Sequence, residues 1–141
     1  MNNMNNMNQQ SNIVEEIKKN ITNSILNGIN KDTIKSCESF GDYLAKKDEM
    51  TTSQLRKFFG AVKRIQIENF NNENFETVKR SIILLKPKLA YAVGRSKNKD
   101  KITDFYNIIS AAIDQVDNPE KFNNLVQIFE AIVAFHKEKG G

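Results

Sequence analysis

Residues 52–65 read TSQLRKFFGAVKRI, and drawn as an α-helix they separate into two faces. One face is entirely apolar and consists of Leu55, Phe58, Phe59, Val62 and Ile65. The opposite face is basic and consists of Arg56, Lys57, Lys63 and Arg64, with Gly60 at its middle. The apolar face predicts packing on a protein core. The basic face is typical of either a solvated surface or a surface that binds an anion.

Gly60 calls for an explanation because a glycine in a helix interior costs about 1 kcal/mol relative to alanine. Three interpretations are open. Gly60 can be a point of close contact between two helices, it can leave room for a backbone or a phosphate to approach the basic face, or it can have no role.

The rest of the chain repeats the helical periodicity, and no segment longer than a few residues alternates with period two. Predicted helices cover about 11–27, 32–47, 52–68, 75–95 with a break near Pro87, 103–116 and 119–138. Thr51 with Gln54, and Asn118 before Pro119, are typical helix starts. The 141 residues therefore predict one all-α domain, a compact bundle of five to six short helices.

The first eleven residues, MNNMNNMNQQS, are almost entirely polar and of low complexity. Such a segment cannot bury enough apolar surface to order itself. We therefore expect a disordered Asn-rich tail over residues 1–11 and a helical domain over residues 12–139. The chain shows neither a secretion signal nor an apolar run of 18 residues, so we expect a cytoplasmic protein with no membrane contact.

Positive charge is concentrated in the middle of the chain. Residues 51–101 hold twelve Lys and Arg against four Asp and Glu, a net charge of +8. The remaining residues hold nine against thirteen, a net charge of −4. A cationic centre in an otherwise acidic chain indicates a polyanionic partner, and nucleic acid is the usual one.

Lys88, Tyr91 and Arg95 fall on one face of a predicted helix. An aromatic ring flanked by cations can stack on a base or donate its hydroxyl to a phosphate. A tyrosine at the edge of the core, with its hydroxyl in water, fits the same spacing, so these interpretations stay open.

The sequence contains no motif that argues for catalysis. One histidine and one cysteine cannot form a closed zinc site, and no phosphate-binding loop or nucleophile elbow is present. Asp32 is predicted to cap the second helix, whose inward face is Ile34, Cys37, Phe40, Tyr43 and Leu44. Its place on that face predicts that Cys37 is a small buried apolar residue. His136 stands near a helix C-terminus, where a solvated or capping role is the default. We expect no enzyme activity, no cofactor and no metal.

Three motifs occur in order: TTSQLRKFF at 51–59, LLKPKLAYAVGR at 84–95 and FEAIVAFHK at 129–137. Together they resemble the small subunit of the type III-A CRISPR interference (Csm) complex, over about residues 33–139. The resemblance implies a non-catalytic helical subunit of an antiviral, RNA-guided complex. Copies of this subunit would stack beside other Csm subunits, and would contact the backbone of the guide RNA and the target RNA.

The predicted RNA-binding residues come from three sources. The resemblance implies Arg56, Lys57, Lys86, Lys88 and Arg95 by their positions in the first two motifs. Lys63 and Arg64 follow from the helical face, and Tyr91 from its place between cations. Because base pairing reads the sequence in such complexes, these residues are expected to contact sugar and phosphate without base preference.

Two other classes of protein remain open. One is a helical protein–protein adaptor, whose basic face docks on an acidic protein surface. The other is a helix-turn-helix regulator, which needs a recognition helix with base-reading side chains and usually a dimer.

Overall fold

A computed structural model describes the backbone of residues 2–46, 50–69, 73–97 and 99–140, with side chains from residue 12 onward. Within these ranges the chain forms helices and no strand. The helices are α1 (Asn2–Asn27), α2 (Lys31–Ala45), α3 (Thr52–Glu68), α4 (Phe75–Ile83), α5 (Leu85–Arg95), α6 (Asp100–Asp114) and α7 (Pro119–Glu138). Counted with α4 and α5 as one helix interrupted at Leu84, these are six, and the predicted all-α single domain is confirmed.

Helix ends follow local side-chain chemistry. The Thr51 hydroxyl accepts from the Gln54 backbone N–H at 3.1 Å, and the Thr51 N–H donates to the Gln54 side chain at 2.9 Å, which confirms the predicted capping box. Asn118 caps α7 as predicted. The predicted cap of α2 at Asp32 is wrong, because Asn30 and Thr33 form a capping box two residues earlier.

The predicted break near Pro87 lies at Leu84, between α4 and α5. A proline ring clashes with the carbonyl group four residues before it, which for Pro87 belongs to Ile83. Helix α4 therefore ends at Ile83, and Pro87 occupies the first turn of α5, where its missing N–H is not needed. The predicted break between two helical segments is therefore confirmed, and it lies about one turn before Pro87.

Phe105 of α6 lies at the centre of the core and is fully buried. Its ring contacts Phe40, Phe58 and Phe129, with ring centroids 5.6–6.1 Å apart. These rings come from α2, α3 and α7, so the apolar face of α3 is confirmed as part of the core. Because the apolar face of α3 packs on the core, its basic face points away from the core.

Helices α2 and α7 make the most extensive contact between two helices of the described chain. Their closest approach is at Gly41, where an added Cβ atom would lie 2.7 Å from the backbone nitrogen of His136. Glycine is required here because backbone atoms of α7 occupy the space that a side chain would need.

The inward face of α2 differs from the prediction at one position. Ile34 was expected in the core but is 43% exposed, while Thr33 and Ser36 are buried. These two hydroxyl groups face α1: Thr33 bonds to Ser24 at 2.5 Å and Ser36 accepts from Asn20 at 2.9 Å. The α1–α2 contact therefore includes two hydroxyl hydrogen bonds, and Ile34 lies on the exposed side of α2.

Helical backbone begins at Asn2, so the predicted start of the first helix at Ser11 is wrong. The structure continues α1 through residues for which composition predicted disorder, and no glycine or proline occurs there to stop a helix once it has begun. Among the described side chains of α1, residues 12–27, the buried ones are Ile17, Ile21, Ser24 and Ile25. The division into a tail over 1–11 and a domain over 12–139 stays a prediction.

Deleting residues 1–11 is expected to change the free energy of unfolding by less than about 0.5 kcal/mol, because this almost entirely polar segment has little apolar surface to bury. Urea unfolding followed by circular dichroism measures this difference. A loss above about 1 kcal/mol would instead place part of the tail in the folded domain.

Candidate nucleic-acid interface

Helices α3 and α5 are neighbours, and a groove of about 920 Å³ opens between them. Its lining is Gln54, Arg56, Lys57, Phe58, Gly60, Ala61, Arg64, Pro87, Lys88, Tyr91, Ala92, Arg95 and Ser96. Five of these are cations and none of the described lining residues is Asp or Glu. Six of the eight predicted RNA-binding residues thus meet in one groove.

The α3 wall of the groove carries Arg56, Lys57 and Arg64, which are exposed. Gly60 lies between them, and a Cβ atom added there would meet no atom within 4 Å. The interpretation of Gly60 as a contact between helices is therefore wrong. The open space it leaves belongs to the groove.

The α5 wall carries Lys88, Tyr91 and Arg95, spaced three and four residues apart and therefore on one side of the helix. Tyr91 is 68% exposed, which excludes a place at the edge of the core. The Arg95 guanidinium carbon lies 5.6 Å from the centre of the Tyr91 ring, a cation–π contact.

The five cations of the groove form no ion pair with another described residue. Glu68 follows Arg64 by four residues on α3, yet their charged atoms do not come within ion-pair distance. Because like charges repel one another, an anion bound in the groove would lower the electrostatic energy of these five cations.

Lys63 and Lys86, the other two predicted RNA-binding residues, lie outside the groove lining. Lys63 lies about two turns along α3 from Arg56, at nearly the same angle around the helix, and donates to the Gln66 side chain at 2.9 Å. Lys86 forms an ion pair with Asp114 of α6. Both side chains therefore have partners within the protein.

A smaller concavity of about 400 Å³ lies between α1 and α2. Its charged lining mixes both signs, with Glu16, Asp32 and Asp42 beside Lys35 and Lys46. Asp42 and Lys46 also pair with each other at 3.5 Å. This concavity offers no charge of a single sign to a ligand, which distinguishes it from the groove.

Cys37 is fully buried, as predicted, and burial raises the pKa of its thiol to about 12. A thiol with so high a pKa is a poor nucleophile. His136 was expected to be solvated or to cap its helix, but it is fully buried and bonds to a residue outside α7, so that prediction is wrong. Its Nε2 lies 2.7 Å from the Met50 carbonyl oxygen and must carry the proton, because a carbonyl only accepts. His136 thus ties the end of α7 to the residue before the α3 cap.

No group of His, Cys, Asp or Glu in the described ranges is placed to hold a metal ion. None of the described helices is long and apolar enough to cross a membrane.

The groove itself was not predictable from the sequence, although six of its lining residues were predicted to bind RNA. Phe58, Pro87 and Ala92 were expected only as core or helix-break residues, and they also line it. The periodicity places a residue on a face of its own helix, but it does not say which two faces adjoin. The first two motifs occur in order on the segments that form α3 and α5. This was the available indication in the sequence that the two helices act together.

The fold and the groove define a class of protein: a small all-α domain with a cationic, aromatic-lined cleft on one side of its bundle. The family model described as Csm2 Type III-A matches residues 29–141, so the chain belongs to that family of type III-A CRISPR effector small subunits. No curated protein and no solved structure matches the chain. The match begins at residue 29, so the whole of α1 lies outside it.

Proposed function

We propose that this chain is a non-catalytic small subunit that holds RNA within a type III-A CRISPR effector, acting in antiviral defence in the cytoplasm. The observation that supports it most directly is the α3–α5 groove, in which five cations stand without an acidic neighbour among the described lining residues. The RNA would be the guide strand, the target strand or both, contacted through sugar and phosphate.

Arginine and lysine suit this task differently. An arginine fork donates two parallel hydrogen bonds to a phosphate, and a lysine acts as a mobile point charge. The groove has Arg56, Arg64 and Arg95 together with Lys57 and Lys88. We place these five at the centre of the RNA site. Lys63 and Lys86 would contribute only by leaving Gln66 and Asp114.

Contacts with other Csm subunits, and stacking of copies of this chain along the complex, are proposed from family membership. Opposite charges on one chain are compatible with stacking, because the net charge of +8 over residues 51–101 stands against −4 elsewhere.

The isolated chain is expected to bind single-stranded RNA weakly, without sequence preference and with strong salt dependence. Five phosphate contacts would give a slope of log K against log salt of up to about −3.5. Fluorescence anisotropy with two unrelated 20-nucleotide RNAs, titrated between 50 and 200 mM salt, measures both properties. A slope near zero, or a marked preference for one of the two sequences, would contradict the proposal.

A pulldown after nuclease treatment separates RNA binding from the adaptor function. Partners that depend on RNA support the proposal, whereas acidic protein partners that persist without RNA support the adaptor. Sequence-specific binding to duplex DNA would support a helix-turn-helix regulator instead.

A further inference from the structure

Tyr91 is an exposed aromatic residue among the cations of the groove, and charge alone does not explain it. It is an aromatic side chain left 68% exposed in a chain whose other aromatic rings are, among the described residues, buried or half-buried. Exposing a large apolar ring to water is unfavourable. A ligand that covers the ring would remove this cost.

Arg95 holds the Tyr91 ring in place from one side. Its guanidinium carbon lies 5.6 Å from the ring centre, and the two residues are one helical turn apart on α5. A guanidinium group covers only one face of a ring, and the high exposure of Tyr91 requires the remainder to be open. The pair therefore presents a flat aromatic face at the edge of a cationic groove.

Gly60 supplies space in the same groove. Nothing lies within 4 Å of the position that its Cβ atom would occupy, so no packing demand accounts for the glycine. An alanine or a longer residue would form a better helix there. The missing side chain instead widens the groove on the wall formed by α3, while Tyr91 lies on the wall formed by α5.

We infer that Tyr91, backed by Arg95, is a stacking platform for one unpaired nucleobase, and that Gly60 keeps the groove wide enough to admit it. This inference rests on the proposed RNA-binding function and deepens it. The groove would hold the strand by its phosphates and, in addition, take one base that is not engaged in a base pair. Stacking does not read base identity, because every base has a π-face.

The competing role for Tyr91 is a hydrogen bond from its hydroxyl group to a phosphate. The two roles differ in what they need from the ligand and from the residue. Stacking needs a base and an aromatic ring, whereas the hydrogen bond needs only a phosphate and the hydroxyl. Tyr91→Phe and Tyr91→Ala, tested on strands with and without bases, therefore distinguish them.

The experiment compares a 12-nucleotide uridine RNA with a 12-unit abasic ribose-phosphate strand of the same charge. For the unaltered full-length chain we expect the uridine RNA to bind about tenfold more tightly, within the range that one stacked base contributes. Tyr91→Phe should keep this ratio. Tyr91→Ala should reduce it to about one and leave affinity for the abasic strand unchanged.

A second pair of variants tests the space at Gly60. Gly60→Gln and Gly94→Gln make the same change at exposed helical positions with no atom within 4 Å, but Gly94 does not line the groove. We expect Gly60→Gln to reduce the preference for the uridine RNA about fivefold and Gly94→Gln to leave it unchanged. Thermal melts show whether both variants fold alike.

Three other outcomes would overturn the inference. Equal affinity of the unaltered chain for both strands would remove the base platform while leaving the proposed RNA-backbone function in place. A parallel loss for both strands in Tyr91→Phe would assign the hydroxyl to a phosphate. Failure of the chain to bind either strand would overturn the proposed function together with the inference.

Discussion

Replacing Arg56 and Lys88 together by glutamate is expected to weaken binding of single-stranded RNA about 100-fold at 100 mM salt, because about tenfold is lost for each charge-assisted contact that becomes repulsive. The two residues lie on opposite walls of the groove, Arg56 on α3 and Lys88 on α5. The double variant therefore removes contacts on both sides of a bound strand. Both side chains are exposed and neither forms an ion pair with a described residue, so the fold should be unaffected.

Lys19→Glu with Lys35→Glu provides the matched control. These lysines are also exposed, and they lie on α1 and α2, away from the groove lining. The control changes the net charge by the same amount, so it corrects for the general loss of attraction to RNA. We expect a loss below about threefold at 100 mM salt, where charges more than about 10 Å from the strand are largely screened. Equal losses in the two double variants would mean that the groove is not the site.

Lys63→Glu makes the comparison on a single helix. The sequence places Lys63 and Arg56 on the same basic face, whereas the structure places only Arg56 in the groove. If the groove binds the strand, Arg56→Glu should weaken anisotropy-measured RNA affinity about tenfold and Lys63→Glu less than threefold. Similar losses would favour the whole basic face of α3 as the contact surface.

The sequence alone places Arg56 and Lys63 on one face of α3, but it does not show that only Arg56 lines the groove. Several features fixed within one helix or its cap were predictable: the two faces of α3, the Thr51 cap and the break before Pro87. Each depends on residues within about two turns of one another, and side-chain spacing determines them. The all-α fold follows from the same local rules.

Features that depend on two distant segments were not predictable. His136 was expected to be solvated or to cap its helix because it stands near a helix end, yet it bonds to the Met50 carbonyl 86 residues away in the chain. Ile34 was expected inside because it is apolar, yet hydroxyl contacts between α1 and α2 orient that helix otherwise. Gly41 has no local signature at all, since only the approach of α7 gives it a role.

Gly41→Ala is therefore expected to destabilise the protein, although the same substitution in a free helix would stabilise it. The added Cβ atom would lie 2.7 Å from the His136 backbone nitrogen, 2.8 Å from the Phe135 Cβ atom and 2.9 Å from the Phe135 carbonyl carbon. Backbone atoms cannot rotate away, so α2 and α7 must separate. Overpacking of this kind costs up to about 3 kcal/mol, and alanine returns about 1 kcal/mol of helix propensity. The free energy of unfolding is therefore expected to fall by about 2 kcal/mol.

Gly94→Ala is the matched control, and the sign of its effect should be opposite. Gly94 is also helical, on α5, and an added Cβ atom there meets nothing within 4 Å. It should therefore stabilise the protein by about 0.5–1 kcal/mol. Urea unfolding of both variants and of the unaltered chain measures the difference, which we expect to be about 3 kcal/mol. If Gly41→Ala instead matched Gly94→Ala, the close approach of α2 and α7 would not exist in solution, and the buried bond from His136 to Met50 would lose its structural basis.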